Sequence, residues 1–290
     1  MEQVLNMIHA SRAYERNLYG RGIGVAVLDT GIFPHQDLQN KIAYFKDYVK
    51  GRKQPYDDNG HGTHISGIIG AKNETTRHGV APECSLFGFK VLDKSGGGMI
   101  EDTCRAVEDV IRINRQAART IRIINVSVGM ANAVKAELQS RLLIAVEKAW
   151  DSGIVVVAAA GNNGPGEQTI TSPGTSKKII TVGSIDDGWN MAGGRGYSGR
   201  GPTAECVVKP EILMPGTNIV SCLNRKTGYA RKSGTSMAVP VLSGVIALLL
   251  NAYPHMTPNE VKMRLFYGSR QTDRTDQRKC WGTVTLDSLL

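Results

Sequence analysis

The stretch GVAVLDTGI, residues 24–32, decides the fold. Val25, Ala26, Val27 and Leu28 form an unbroken apolar run where a half-exposed strand would alternate. That is the pattern of a strand buried on both faces. Strands of this kind belong to parallel sheets whose crossover helices cover both sides. The run stops at Asp29, which is followed by a Thr-Gly turn. Ligands of open α/β sheets bind beyond the carboxyl ends of the strands. Asp29 is therefore the first candidate functional residue.

Working outward, β-branched apolar runs at residues 23–28, 85–91, 121–126, 154–159 and 179–182 predict strands. Helical periodicity at 61–71, 99–115 and 136–152 lies between them. The expected fold is α/β: three layers, with a mostly parallel central sheet and helices on both faces. A Pro/Gly-rich stretch at 193–216 precedes a helix over 235–252 and a shorter one from Pro258 to about Tyr267. No internal repeat, low-complexity segment or linker interrupts the chain, so residues 1–290 are read as one domain. Val4, Leu5, Ile8 and Tyr14 mark residues 1–20 as an amphipathic helical segment packed on it.

With 41% hydrophobic and 21% charged residues, the composition is that of an ordinary globular protein. No apolar run approaches the roughly 20 residues of a bilayer span. The longest, residues 241–250, reads as a buried helix. The N-terminus lacks the basic start and apolar region of a secretory signal. Five cysteines at wide, irregular gaps argue against a disulfide framework or a zinc knuckle. A cytoplasmic protein with reduced thiols is expected, with a secreted enzyme cut from a longer precursor as the alternative. The net charge of +9 raises nucleic-acid binding. However, the basic residues are scattered and aromatics are only 6%, so no nucleic-acid partner is expected.

Three further segments join Asp29: DDNGHGTHISG, VVAAAGNNG and SGTSMAVP. Ser236 opens a helix after Gly234. There it would sit among free backbone N–H groups at the positive end of the dipole, or serve as an ordinary N-cap. His61 lies between glycines that leave its ring open. His64, three residues on, raises a metal reading, but the metalloprotease pattern needs histidines four apart and a Glu that is absent here. Asp-Thr-Gly also occurs in aspartic proteases, which require two such carboxylates, and this chain has one. The glycines of residues 20–24 precede their strand, whereas a dinucleotide loop follows it. Asn162, just past a strand, is a turn asparagine when taken alone. Beside a nucleophile, its amide could hold an oxyanion. A serine needs a base to take its proton, and that base needs a carboxylate to orient it. Asp29, His61, Asn162 and Ser236 supply these four groups together.

On these segments, and on DTGIFPHQDL, GVAPECSLFGFKVLDKSGGG, YSGRGPTAECVVKPEILMPG and the closing WGTVTLDSLL, the chain resembles the subtilases, the subtilisin-like serine proteases. The likeness runs from about Gly22 to the C-terminus and is nearest to their AprX-like bacterial group. The order Asp, His, Ser is the subtilisin order. The resemblance implies a subtilisin-like fold and a serine endopeptidase with Asp29, His61 and Ser236 as triad. Asn162 would be the side-chain oxyanion donor and the Ser236 N–H its companion. It also implies that an extended or unfolded polypeptide lies between Gly96, Gly97, Gly98 and Ser127, Val128, Gly129. Main-chain hydrogen bonds would grip it as an added strand. The pocket for the residue before the scissile bond would fall between residues 127–130 and 171–173. Thr171 stands where relatives often carry glycine, so a raised pocket floor is expected. No carboxylate there predicts strict basic specificity.

No cofactor is expected for catalysis. Structural calcium is expected only through the Asp37 carboxylate, because the loop at residues 72–78 is short and lacks a strong calcium-loop pattern. Val241 replaces a histidine common in relatives, at a position outside the triad. No inhibitory propeptide is visible before Gly22, so either a trimmed form or some other control is expected. A catalytically silent member that binds peptides is the alternative in a different class. Nothing in the motifs is missing to favour it.

Overall fold

The computed structural model describes residues 1–73, 78–116, 120–127, 129, 136–188, 196–269 and 279–290. Its centre is a seven-stranded sheet of β1 (Gly24–Asp29), β2 (Ile42–Asp47), β3 (Ser85–Lys90), β4 (Ile121–Val126), β5 (Val155–Ala159), β6 (Ile180–Ser184) and β7 (Ile212–Met214). The order is β2-β3-β1-β4-β5-β6-β7, with all neighbours parallel. A small antiparallel ribbon, β8 (Ile219–Cys222) and β9 (Tyr229–Lys232), stands apart from it. β1 is buried at every residue, as its unbroken apolar run requires.

The chain leaves β1 toward β2 and β3 but leaves β4 toward β5, β6 and β7. A crevice therefore opens beyond the carboxyl ends of β1 and β4, where the strand order reverses. Helices α3 (His61–Gly70) and α6 (Thr235–Ala252) pack together over the sheet, and α4 (Ile100–Gln116) and α5 (Ala136–Asp151) form a second pair. By length and composition alone α6 could cross a membrane. Instead, every residue from Met237 to Leu250 is buried, with α6 packed against α3 and β4 through β7. A helix apolar on all sides is a core helix when the protein surrounds it.

The strands and helices expected from sequence are present with ends shifted by two residues or fewer, and β2, β7 and the β8–β9 ribbon are additions. The N-terminal segment departs from the single amphipathic helix expected. It forms two short helices, α1 (Glu2–Met7) and α2 (Ser11–Tyr14), because His9 takes a left-handed φ of 53° that a helix cannot continue through. Val4, Leu5 and Ile8 are buried, and the Tyr14 hydroxyl donates to the Val80 carbonyl at 2.8 Å. Helix α7 (Pro258–Gly268) starts with Pro at its first position and a reciprocal Thr257–Glu260 capping box. Helix α8 (Leu286–Leu289) returns to the N-terminal segment through Leu286 N–H to the Ile8 carbonyl at 2.9 Å.

Candidate active site

Asp29 ends β1 fully buried, and a buried carboxylate needs partners. The Thr30 N–H donates to its Oδ1 at 2.7 Å, and His61 Nδ1 lies 2.8 and 2.9 Å from its two oxygens. A carboxylate only accepts, so Nδ1 carries the ring proton and Nε2 keeps its lone pair for the cleft. His61 begins α3 immediately after Gly60, whose φ of 98° is a left-handed turn that favours glycine. Gly62 permits the close approach: a Cβ there would lie 2.1 Å from the Gly31 carbonyl oxygen.

Asp57, absent from the sequence reading, joins these two elements. Its buried carboxylate accepts from Thr30 Oγ1 at 2.9 Å, from the N–H groups of Asn59, Gly60 and Thr63 at 3.0, 2.8 and 2.9 Å, and from Thr63 Oγ1 at 2.6 Å. It thereby satisfies N–H groups that a helix start leaves unpaired. It also clamps the turn after Asp29 to the turn that carries His61. Lys90, fully buried at the end of β3, donates to the carbonyls of Thr30 (2.6 Å) and Leu92 (2.8 Å) and pairs with Asp58 at 2.7 Å. Burial opposes the Asp58 charge, yet Lys50 and Lys90 hold its carboxyl down to about 2. Burial likewise disfavours the His61 cation. The Asp29 carboxylate and its hydrogen bond outweigh that, and the His61 pKa is raised above 6.5.

Ser236 is the second residue of α6, and Gly234 is the N-cap. The ordinary-cap alternative therefore does not describe Ser236. Its hydroxyl donates to the Ser127 carbonyl at 2.7 Å, so the side chain is turned along the cleft and not onto His61. Asn162 Oδ1 accepts from both the N–H and the hydroxyl of Thr235 at 3.0 Å. Those bonds fix the amide orientation, and Nδ2, the donor, stays beside the helix start: a Cβ on Gly234 would lie 3.3 Å from it. Ser127 is itself held from behind: Ser243 Oγ donates to Asn125 Oδ1 at 2.9 Å, and Asn125 Nδ2 donates to Ser127 Oγ at 2.7 Å. Buried Asn125, like Asp57 and Lys90, is a residue that sequence reasoning missed.

His61 and Ser236 line one cleft of about 790 Å³. Gly96, Gly97 and Gly98 form one wall, and Ser127 and Gly129 the other. Ile100, Leu138 and Leu142 add apolar side chains to its lining. Asn59 Nδ2 donates to the Lys94 carbonyl at 3.0 Å, joining the glycine wall to the α3 turn. Val128 and residue 130 lie outside the described residues. Thr171 is buried and fills the space between the two glycines that flank it. A Cβ on Gly129 would meet its Oγ1 at 2.3 Å, and one on Gly161 at 2.6 Å.

His64 is buried away from the cleft, with Nε2 3.2 Å from the Ile219 carbonyl and 3.1 Å from that of Ala230. Burial depresses its pKa to about 4, so it is a neutral tie between α3 and the β8–β9 ribbon. Asp37 is buried, and Tyr229 and Asn73 donate to its carboxylate. Calcium takes six to eight oxygen ligands. Among the described residues, the ligand atoms gathered with Asp37 are the His35 imidazole and the Cys222 sulfur, with no second carboxylate. Residues 74–77 of the loop beside Asp37 lie outside the described residues.

A family model described as the Subtilase family matches residues 20–282. The chain is similar to the serine protease AprX of Bacillus subtilis (strain 168), with 44% identity covering 88% of this chain and 62% of that protein. It is similar to a thermostable alkaline protease of Halalkalibacterium halodurans at 35% identity, covering 90% of this chain and 66% of that one. Subtilisin DY of Bacillus licheniformis is 35% identical over 89% of this chain and 88% of its own. The chain thus spans less than two thirds of the first two relatives. Among solved structures, Sphericase superposes with a TM-score of 0.74 at 30% identity, covering 88% of each chain.

Proposed function

Since the chain belongs to the subtilase family, we propose that it is a serine endopeptidase cleaving extended or unfolded polypeptides through an acyl-enzyme on Ser236. The observation that carries this reading is the buried Asp29–His61 pair, sharing a cleft with a serine at the start of a long helix. Substrate lies as an added strand between Gly96–Gly98 and Ser127–Gly129, where main-chain pairing accepts any sequence. Rotation about χ1 carries the Ser236 hydroxyl from the Ser127 carbonyl to His61 Nε2. The oxygen attacks the scissile carbonyl carbon while Nε2 takes its proton. The tetrahedral oxyanion accepts from the Ser236 N–H and Asn162 Nδ2. As the C–N bond breaks, His61 returns the proton to the leaving amine, and water repeats the sequence to release the acyl group. Subtilases use no catalytic cofactor, and these groups supply nucleophile, base and oxyanion donors. Residues 1–290 act as one catalytic domain in this reading.

Asn162→Ala is expected to lower kcat by about 10²–10³ with KM little changed, because the amide acts on charge that develops in the transition state. That range is the one known for the corresponding donor in subtilisin. Steady-state kinetics on a peptide substrate read the split between the two constants.

With Thr171 filling the space between Gly129 and Gly161, the pocket for the residue before the cleaved bond is shallow and favours small side chains. The apolar lining from Ile100, Leu138 and Leu142 takes a hydrophobic residue further toward the substrate N-terminus. Thr171→Gly is expected to raise kcat/KM for a phenylalanine relative to an alanine at that position by about 10–200-fold, the range for a few buried methylenes. Cleavage-site profiling on a peptide library tests the proposal as a whole. It predicts internal cuts after small residues in unstructured peptides, and no cleavage in any peptide would defeat it.

A further inference from the structure

We propose that His35, Asp37 and Cys222 form a site for a borderline-soft divalent cation of the zinc class, at the place where the family resemblance leads one to expect calcium. His35 and Asp37 lie in the turn that follows β1, and Cys222 ends β8. All three are buried, and one ligand atom from each lies within 4.8 Å of the others. A nitrogen, an oxygen and a sulfur donor together suit zinc and its neighbours, whereas calcium and magnesium take oxygen.

The surrounding bonds orient these ligands. His35 Nε2 is 3.0 Å from the Gly228 carbonyl, which only accepts. The proton is therefore on Nε2, and the Nδ1 lone pair faces the cluster. Nδ1 is 3.8 Å from Asp37 Oδ2 and now accepts from the Asp37 N–H at 3.1 Å, a bond that the cation would replace. The Tyr229 hydroxyl donates to Asp37 Oδ2 at 2.8 Å, and its ring centroid stands 5.5 Å from that of His35. An imidazole anchored through its far nitrogen and a carboxylate held by a hydroxyl are the supporting contacts typical of metal ligands. Zinc bonds of about 2.0–2.3 Å in a tetrahedron space the ligand atoms roughly 3.3–3.8 Å apart. Closure thus needs side-chain shifts of about 1 Å.

A separate cleft of about 460 Å³ reaches the cluster from its Cys222 and Tyr229 side, without touching His35 or Asp37. Cys222 also backs onto the helix that His61 begins. A Cβ at Gly67 would lie 2.9 Å from the cysteine sulfur. A cation here would tie the turn after Asp29 to β8 directly behind α3.

The test uses the whole chain, stripped of metal, and does not depend on the proposed protease activity. Equilibrium dialysis against Zn²⁺, Co²⁺ or Ca²⁺, with metal analysis, is run beside the absorption spectrum of the Co²⁺ form. One equivalent of Zn²⁺ or Co²⁺ is expected, with a thiolate-to-cobalt charge-transfer band and no displacement by Ca²⁺. Cys222→Ser is expected to lose the band. Tyr229→Phe, which keeps all three ligands, is expected to weaken affinity about 10–100-fold. The proposal is overturned if the unmodified chain shows no thiolate band with Co²⁺, or if the band survives in Cys222→Ser and so belongs to another cysteine. Stoichiometric Ca²⁺ that competes with Zn²⁺ would overturn it equally. A cation caught at His61 and Asp29 has no sulfur ligand and gives no such band.

Discussion

Replacing Ser236 with alanine is expected to lower kcat on a peptide substrate by about 10⁶-fold, the loss known for the corresponding serine in subtilisin. Without the hydroxyl there is no acyl-enzyme, and His61 has no proton to accept. The fold should survive. Among the described residues its side chain makes one hydrogen bond, to the Ser127 carbonyl, and such a bond contributes about 0.5–1.5 kcal/mol to stability. A residual acceleration of about 10³–10⁴ over water is expected from the oxyanion donors and from substrate binding. Adding His61→Ala to Ser236→Ala should cost little more, because the two act as a unit. Turnover of a fluorogenic peptide by the single and double variants measures both effects. A Ser236→Ala protein within tenfold of the parent would remove the nucleophile from the account.

Asp29→Asn is expected to cost about 10⁴-fold in kcat while leaving the backbone geometry intact. The carboxylate accepts from Nδ1 through both oxygens. An amide can instead donate to that nitrogen, which puts the proton on Nε2, the wrong side for a base. The pH dependence carries a second signature. His61 acts as base only when neutral, so activity falls as pH drops through its pKa. With Asp29 present that pKa is raised above 6.5, and the acid limb of kcat/KM should lie above 6.5. Burial, the largest single influence, pushes the other way and is overcome by Asp29. Removing the carboxylate charge should therefore move the acid limb downward, below the ordinary histidine value. A pH profile of kcat/KM for the two proteins reads the direction of the shift, and an unmoved limb would separate Asp29 from the titration of His61.

The parts of this structure legible in the sequence are those that repeat a local physical rule. β1, β3, β4, β5 and β6 are predominantly apolar because they lie inside the sheet and are almost wholly buried. α6 was readable for the same reason. β2 was not, since as an edge strand it stays partly exposed and includes Lys46. β7 has only three residues, too few for any periodicity, and the β8–β9 ribbon carries polar residues such as Ser221 and Arg231. The candidate site divides in the same way. Asp29, His61, Asn162 and Ser236 each sit in a small-residue turn at the end of an apolar element, which is a local signal. Asp57, Lys90 and Asn125 hold those turns together through tertiary contacts. Asn125, for example, meets Ser243 across 118 positions of chain. An acid four residues before His61 and a lysine closing an apolar strand were the available hints. The surroundings of Asp37 were equally hidden, because Cys222 reaches it only through the fold.

The central claim is that Ser236 is a nucleophile activated by His61 in the folded chain. Reaction with a serine-directed fluorophosphonate, followed by intact mass and peptide mapping, tests it most directly. The account predicts one adduct per chain, on Ser236, formed rapidly by native protein and suppressed after denaturation, in His61→Ala and in Asp29→Asn. Folded protein that takes up no label, or takes it up at Ser127 or another serine, would contradict it.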